Sequence, residues 1–192
     1  MAAEKLLVKG SFPLPSVNQI ISEAGVSKGT VYLYFKSKEE IYLSLLGTYL
    51  DNFEKDVIDS LKKSNKSNYV DSLILSYINF ARENPKGVYL ASIASLILEN
   101  NLTDESIILF KKRIREITVN MLVEVEDIIK INDMEKLSSL FLVSYNLFLG
   151  CWQHCNPPEQ VVKVLNNNNL EDILYDFEKE FSKAFRTLWA SM

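Results

Sequence analysis

The sequence is poor in cysteine, histidine, glycine and proline, and each shortage removes a class of protein. Cys151 and Cys155 are the only cysteines in 192 residues, too few and too close to brace a secreted domain, so a reducing cytoplasm is the expected setting. The single histidine, His154, has no Ser or Cys nucleophile in a recognisable elbow to serve, and no H-E-x-x-H, Gly-rich phosphate loop or paired-carboxylate pattern appears. Neither an enzyme nor a cofactor is expected. Six glycines and five prolines are few for an all-β chain. Charges interrupt every apolar run before it reaches the roughly 18 to 20 residues of a membrane span, and the opening MAAEKLLVKG lacks the apolar core of a secretory signal. No membrane partner is expected.

What is present is helical periodicity in a chain that is 47% apolar, which predicts an all-α fold. Ile41, Leu45, Tyr49, Phe53, Val57 and Leu61 recur every fourth residue and give one apolar stripe to a helix over about 38–63. Ile107, Phe110, Ile114, Ile117, Met121 and Ile128 do the same in a second. Leu170, Ile173, Leu174, Phe177, Phe181, Phe185 and Leu188 predict a last helix with charges on its opposite side. Asn84-Pro85, Asn100-Asn101, Asn132-Asp133, Asn156-Pro157-Pro158 and the surface loop Asn166–Asn169 punctuate the helices.

From Met134 to Trp152 the sequence MEKLSSLFLVSYNLFLGCW is apolar nearly all round, so its helix has to be covered on several sides. A subunit interface resolves this simply: the helices at about 134–154 and 170–190 would pack against their copies as a four-helix arrangement in a homodimer. Charge divides the chain as well. Up to residue 50 the net charge is +1, and from residue 51 onward it is −5, so the overall −4 leaves room for a nucleic-acid surface near the start.

Residues 16–46 read SVNQIISEAGVSKGTVYLYFKSKEEIYLSLL. Ser16 with Gln19 has capping-box spacing and opens a short helix with Val17, Ile20 and Ile21 on its inner face. Ala24-Gly25-Val26 makes a tight turn, Gly25 supplying backbone freedom and Val26 filling the angle between two helices. Ser27 caps the next helix, on which Val31 and Phe35 face inward, and Ser37 with Glu40 repeats the box for the long helix.

This stretch resembles the DNA-binding motif of the TetR family of bacterial transcriptional regulators, A-G-V-S-x-G-[ST]-[LIV]-Y-x-[YH]-F-x-[SN]-K-E-x-[LI]. Every fixed position from Ala24 to Ile41 matches. The resemblance implies an N-terminal three-helix helix-turn-helix domain over residues 1–47 and a C-terminal ligand-binding and dimerisation domain over 48–192, about nine helices in all. It further implies a regulator, usually a repressor, that binds a palindromic operator in double-stranded DNA as a homodimer and is released by a small molecule. The motif's second helix would enter the major groove. Lys28, Gly29, Thr30, Tyr32 and Leu33 are the candidate groove residues, with Tyr34 and Lys38 on phosphates and Ser27, the cap of that helix, among the DNA-binding residues. No arginine precedes Arg82, so reading falls to Lys28, Thr30, Tyr32 and DNA shape. Ahead of the motif, only Ala2 to Lys9 stand before Gly10, and SFPLPS departs from the family's aromatic-x-x-T-S link. Either the true start lies upstream of Met1, or the first helix is shortened and makes fewer phosphate contacts; the second case keeps open a dimeric ligand- or partner-binding module with weak or lost DNA binding.

Two further groups have two readings each. Cys151, His154 and Cys155 share a helix face, as soft metal ligands or as packing residues at a helix end; no metal is expected, because a fourth ligand is not evident. Tyr89, Ile93, Ile97, Phe110, Ile114, Tyr145, Phe148 and Trp152 line either an effector cavity or plain core. An apolar or aromatic effector would suit such a cavity.

Overall fold

The computed structural model describes residues 1–8, 12–64 and 68–190, and Lys9 and Gly10 of the segment ahead of the motif lie outside them. Ten α-helices account for most of the chain, and no strand occurs among the described residues. They are α1 (Ala2–Leu6), α2 (Val17–Ala24), α3 (Lys28–Tyr34), α4 (Lys38–Lys63), α5 (Tyr69–Glu83), α6 (Pro85–Ile93), α7 (Asp104–Ile129), α8 (Met134–Cys155), α9 (Glu159–Asn167) and α10 (Phe177–Trp189). A π-helical turn at Ala94–Leu98 and a 3-10 turn at Glu99–Asn101 follow α6. Two compact units result: residues 1–54 with 84–119, and residues 55–83 with 120–192. Helices α4 and α7 contribute to both.

In the first unit the α4 stripe is the organising surface. Ile41, Leu45, Tyr49 and Phe53 are all buried, as the fourfold spacing predicts. Tyr42, with no exposed surface, donates its hydroxyl to the Pro15 carbonyl at 3.3 Å and so fixes the entry to α2. The short α1 buries Ala3, with Leu7 just beyond it, and is held by polar contacts. Tyr49 donates to the Glu4 carboxylate at 2.6 Å, and the Lys86 ammonium donates to the Glu4 carbonyl at 2.6 Å. This phenol bond holds the Glu4 carboxyl below its usual range. Tyr49 can lie flat here because Gly87 on α6 has no side chain.

The second unit has an aromatic core. Tyr77 of α5 meets Phe148 of α8 at 5.1 Å and Phe181 of α10 at 5.5 Å between ring centroids. On α10, Phe177, Phe181, Phe185 and Trp189 follow one another at fourth-residue spacing with centroids 5.4 to 5.6 Å apart. Trp189 closes the set by donating its indole N–H to the buried Ser144 hydroxyl of α8 at 2.9 Å.

Four sequence expectations need correction. The last helix does not begin at Leu170: a 3-10 turn spans Glu171–Ile173, and α10 starts after Asp176, whose carboxylate caps the Lys179 amide at 2.7 Å. Its Phe-rich face is not free for a partner, because Phe181, Phe185 and Trp189 are buried within their own chain. The Asn166–Asn169 run is only partly loop, since Asn166 and Asn167 form the last turn of α9. The α7 stripe is half-buried from Ile107 to Ile117, and full burial begins only at Met121, Leu122 and Val125.

Candidate nucleic-acid interface

Hydrogen bonds local in sequence build α2 and α3. Ser16 and Gln19 form the reciprocal capping box that opens α2, with Ser16 N–H on Gln19 Oε1 at 2.8 Å and Gln19 N–H on Ser16 Oγ at 3.3 Å. Gly25 ends α2 at φ +67°, the left-handed conformation that admits glycine without strain, and its N–H bonds the Ile21 carbonyl at 3.0 Å. Ser27 then caps α3 by accepting the Thr30 amide at 3.1 Å. Its hydroxyl also meets the Thr30 hydroxyl at 2.8 Å, which leaves the Thr30 methyl as the apolar part of that side chain.

None of the residues of α3 is buried. Leu33 and Tyr34 are 77% and 76% exposed. Lys28 sits over the Tyr32 ring with its ammonium 5.7 Å from the centroid, so the two present one cationic, aromatic surface. Gly29 is exposed and a β-carbon there would make only ordinary contact with Ser27 Oγ at 3.7 Å, so nothing within the chain calls for glycine. Val31 and Phe35 are half-buried on the inner side, whereas Val26 is 41% exposed and does not fill the interhelical angle. Lys38, at the start of α4, is half-buried.

Behind α3 lies a feature that sequence reasoning missed. Ser37 accepts the Glu40 amide at 3.2 Å, half of the expected box. The Glu40 carboxylate does not return to Ser37: one oxygen accepts the Lys36 amide at 2.6 Å, and the other accepts the Ser106 hydroxyl of α7 at 2.5 Å. Around this bridge runs a cleft of about 530 Å³ between the end of α3, the start of α4 and the start of α7, lined by Tyr34, Phe35, Leu43, Leu102, Leu109, Phe110 and Arg113 among others. The Ser37-x-x-Glu40 and Thr103-x-x-Ser106 spacings announce two helix starts, but no spacing announces that they meet.

Of the eight candidate effector residues, only Phe110 lines this cleft. Tyr89 is buried, and Ile93, Ile97 and Ile114 are half-buried in the first unit. In the second, Tyr145 is half-buried, Trp152 is buried, and Phe148 is spent in the aromatic core against Tyr77, Phe80, Phe177 and Phe181. Cys151, His154 and Cys155 do come together, bordering a second, shallow cavity with Leu147, Gly150, Tyr175 and Glu180. His154 leans on the Tyr175 ring at 5.5 Å, and burial is the main cause that raises both thiols above their ordinary range. Among the described residues no three His, Cys, Asp or Glu side chains are placed to hold a metal ion.

An all-α chain that opens on a helix-turn-helix, with a capped, seven-residue second helix that buries none of its residues, falls in the class of helix-turn-helix proteins. Comparison with known proteins identifies the family. Residues 1–45 match the profile described as bacterial regulatory proteins, tetR family, and residues 48–191 match tetracyclin repressor-like, C-terminal domain. The chain belongs to the TetR family of HTH-type transcriptional regulators. It is 37% identical over 60 residues to the fatty acid metabolism regulator protein of Bacillus subtilis, covering 29% of this chain and 31% of that one. It is 26% identical over 119 residues to an uncharacterized HTH-type transcriptional regulator in the lacX 3' region of Lactococcus lactis, covering 60% and 58%. Identity to the HTH-type transcriptional activator FasR of Mycolicibacterium smegmatis is 26% over 106 residues, 55% and 46% of the two chains. The chain thus spans less than two thirds of the length of each of these curated relatives. Among the described residues no helix is long and apolar enough to cross a membrane.

Proposed function

We propose that the chain is a cytoplasmic repressor and not an enzyme: a homodimer that binds a palindromic operator through α3 and lets go when a small apolar or aromatic molecule binds. The observation that carries the reading is the exposed face of α3, where Lys28, Gly29, Thr30, Tyr32 and Leu33 are free to meet base edges while Ser27, Tyr34 and Lys38 flank them toward the phosphates. A lysine and a threonine methyl suit guanine acceptors and thymine methyls respectively.

Dimerisation is proposed through α8, with α10 beside it. On α8, Leu142 and Val143 are 64% and 44% exposed, and Gly150, two turns further along the helix, is exposed with no neighbouring atom within 4 Å of where a β-carbon would stand. An exposed apolar strip with a small residue on it is what a close helix–helix contact with a second copy needs. Release is proposed to act through α4, which starts two residues after the motif's Lys36 and has its far end in the other unit. Effector binding would favour the state in which that helix tilts, so that the two reading helices leave the roughly 34 to 36 Å spacing of one DNA turn.

The test is a salt titration of binding to the DNA upstream of the chain's own gene, with scrambled DNA and Lys28→Ala/Tyr34→Ala protein alongside. Selective binding that weakens steeply with salt and is lost in the double variant supports the reading. A folded dimer that ignores DNA even at low salt overturns it in favour of a ligand- or partner-binding module.

A further inference from the structure

The cleft behind α3 is largely apolar, and the carboxylate within it is met by neutral donors. The Glu40 carboxylate is half-buried there, its two oxygens satisfied by neutral donors, the Lys36 amide and the Ser106 hydroxyl, and it has no ion-pair partner among the described residues. Glu105 at the rim also lacks one. The cations nearby are largely committed elsewhere: the Arg113 guanidinium pairs with Asp51 in the notch left by Gly47, and Lys111 pairs with Glu99 at 2.7 Å while lying over the Phe110 ring. Lys36 also lines the cleft, on an exposed side chain that makes no ion pair among the described residues. Three aromatic rings, Tyr34, Phe35 and Phe110, complete the walls.

A half-buried carboxylate whose partners among the described residues are neutral donors, in a cleft walled by aromatic side chains, can receive a positive charge on an apolar body, since rings attract cations and the carboxylate supplies a counter-charge. The volume is in the range of small-molecule sites. We propose that this cleft binds a small organic cation, an ammonium or amidinium carried on an apolar or aromatic body, with its charge at Glu40 and its body against Leu109 and Phe110. The occupant sits directly against Tyr34, the last residue of α3, and Lys36 just beyond it, and competes with Ser106 for Glu40. Binding is thereby coupled to the tie between α7 and the segment that leaves α3. The site deepens the effector reading above and rests on that reading for its consequence, not for its chemistry.

The test is calorimetric titration of the whole chain with 4-phenylbutylamine, 4-phenylbutanol and 4-phenylbutyrate, three ligands with one body and three heads. The amine is expected to bind at least tenfold tighter than the butyrate. Glu40→Gln, whose amide can still accept from Lys36 and donate to Ser106, is expected to bring the amine down to the level of the alcohol. Leu109→Trp, a change at an exposed rim position that fills the opening without touching the core, is expected to weaken all three, and it stands as the probe should Glu40→Gln fail to fold. Butyrate binding as tightly as amine, an amine indifferent to both substitutions, or no binding of the amine overturns the proposal. Operator DNA added to the same protein separates the two readings: an amine that binds a chain which never binds DNA keeps the site and removes the regulator, and a chain that binds DNA without binding the amine does the reverse.

Discussion

The ring of Tyr49 occupies the place where a side chain at Gly87 would begin: a β-carbon at Gly87 would come within 2.7 Å of Tyr49 Cγ. Tyr49 cannot retreat without stretching its bond to Glu4, so the contact fixes how closely α4 and α6 approach. Gly87→Ala is expected to cost about 1 to 2 kcal/mol, an overpacking penalty of about 1 to 3 offset in part by alanine's better helix propensity. Urea unfolding followed by circular dichroism measures it. Pairing the change with Tyr49→Ala should cost clearly less than the sum of the two, because the clash is then gone; strict additivity would mean the contact does not constrain the helices.

Gly29 makes the opposite case. Nothing in the chain opposes a β-carbon there, and alanine should stabilise α3 by up to about 1 kcal/mol. If glycine stands there to let the backbone approach DNA, Gly29→Ala gives a protein at least as stable as the parent whose operator affinity drops tenfold or more. An unchanged affinity by gel shift would show that α3 does not enter the groove with this face.

Ser144 is the acceptor for the buried Trp189 N–H. Ser144→Ala leaves that donor unpaired and is expected to cost about 1 to 3 kcal/mol. Ser144→Ala combined with Trp189→Phe removes donor and acceptor together and should lose less than the two single changes added. A denaturant midpoint unmoved by Ser144→Ala would mean that water reaches the indole.

Alkali should unfold the chain through its buried phenols. Burial pushes Tyr42 up to about 12, and it raises Tyr77 as well. Unfolded tyrosines lose their protons near 10, so this contribution to stability is whole below about pH 10 and is lost as pH climbs through the folded values. Tyrosinate absorbance should rise in two stages, the second coinciding with loss of helical circular dichroism. All nine tyrosines titrating together in a protein that keeps its helices would contradict this.

Much of this was legible in the residues because the governing interactions are local. The Ser16–Gln19 box, the Gly25 turn, the Ser27 cap and the fourfold stripe on α4 each involve groups within a helical turn or one repeating face, and each is where its spacing puts it. The break before α10 was hidden because apolar residues keep helical spacing from Leu170 to Leu188, and only the Asp176 cap interrupts it. The π-helical turn at Ala94–Leu98 carries no sequence signal at all. The cleft was invisible for another reason: Glu40 and Ser106 stand 66 residues apart, and only the folded unit brings them into contact. Spacing also could not separate Phe110, which faces a cleft, from Phe148, which fills a core, since both lie on helical stripes.

Both tryptophans, Trp152 and Trp189, are buried in the second unit, and the unit that carries α3 has none. The chain is therefore optically lopsided. Intrinsic indole emission follows the melting of the aromatic core on α8 and α10 and is silent about the half that carries α3. An emission melt that stays put under a substitution in α3 says nothing of whether that half has loosened, and an amine entering the cleft needs a reporter placed there.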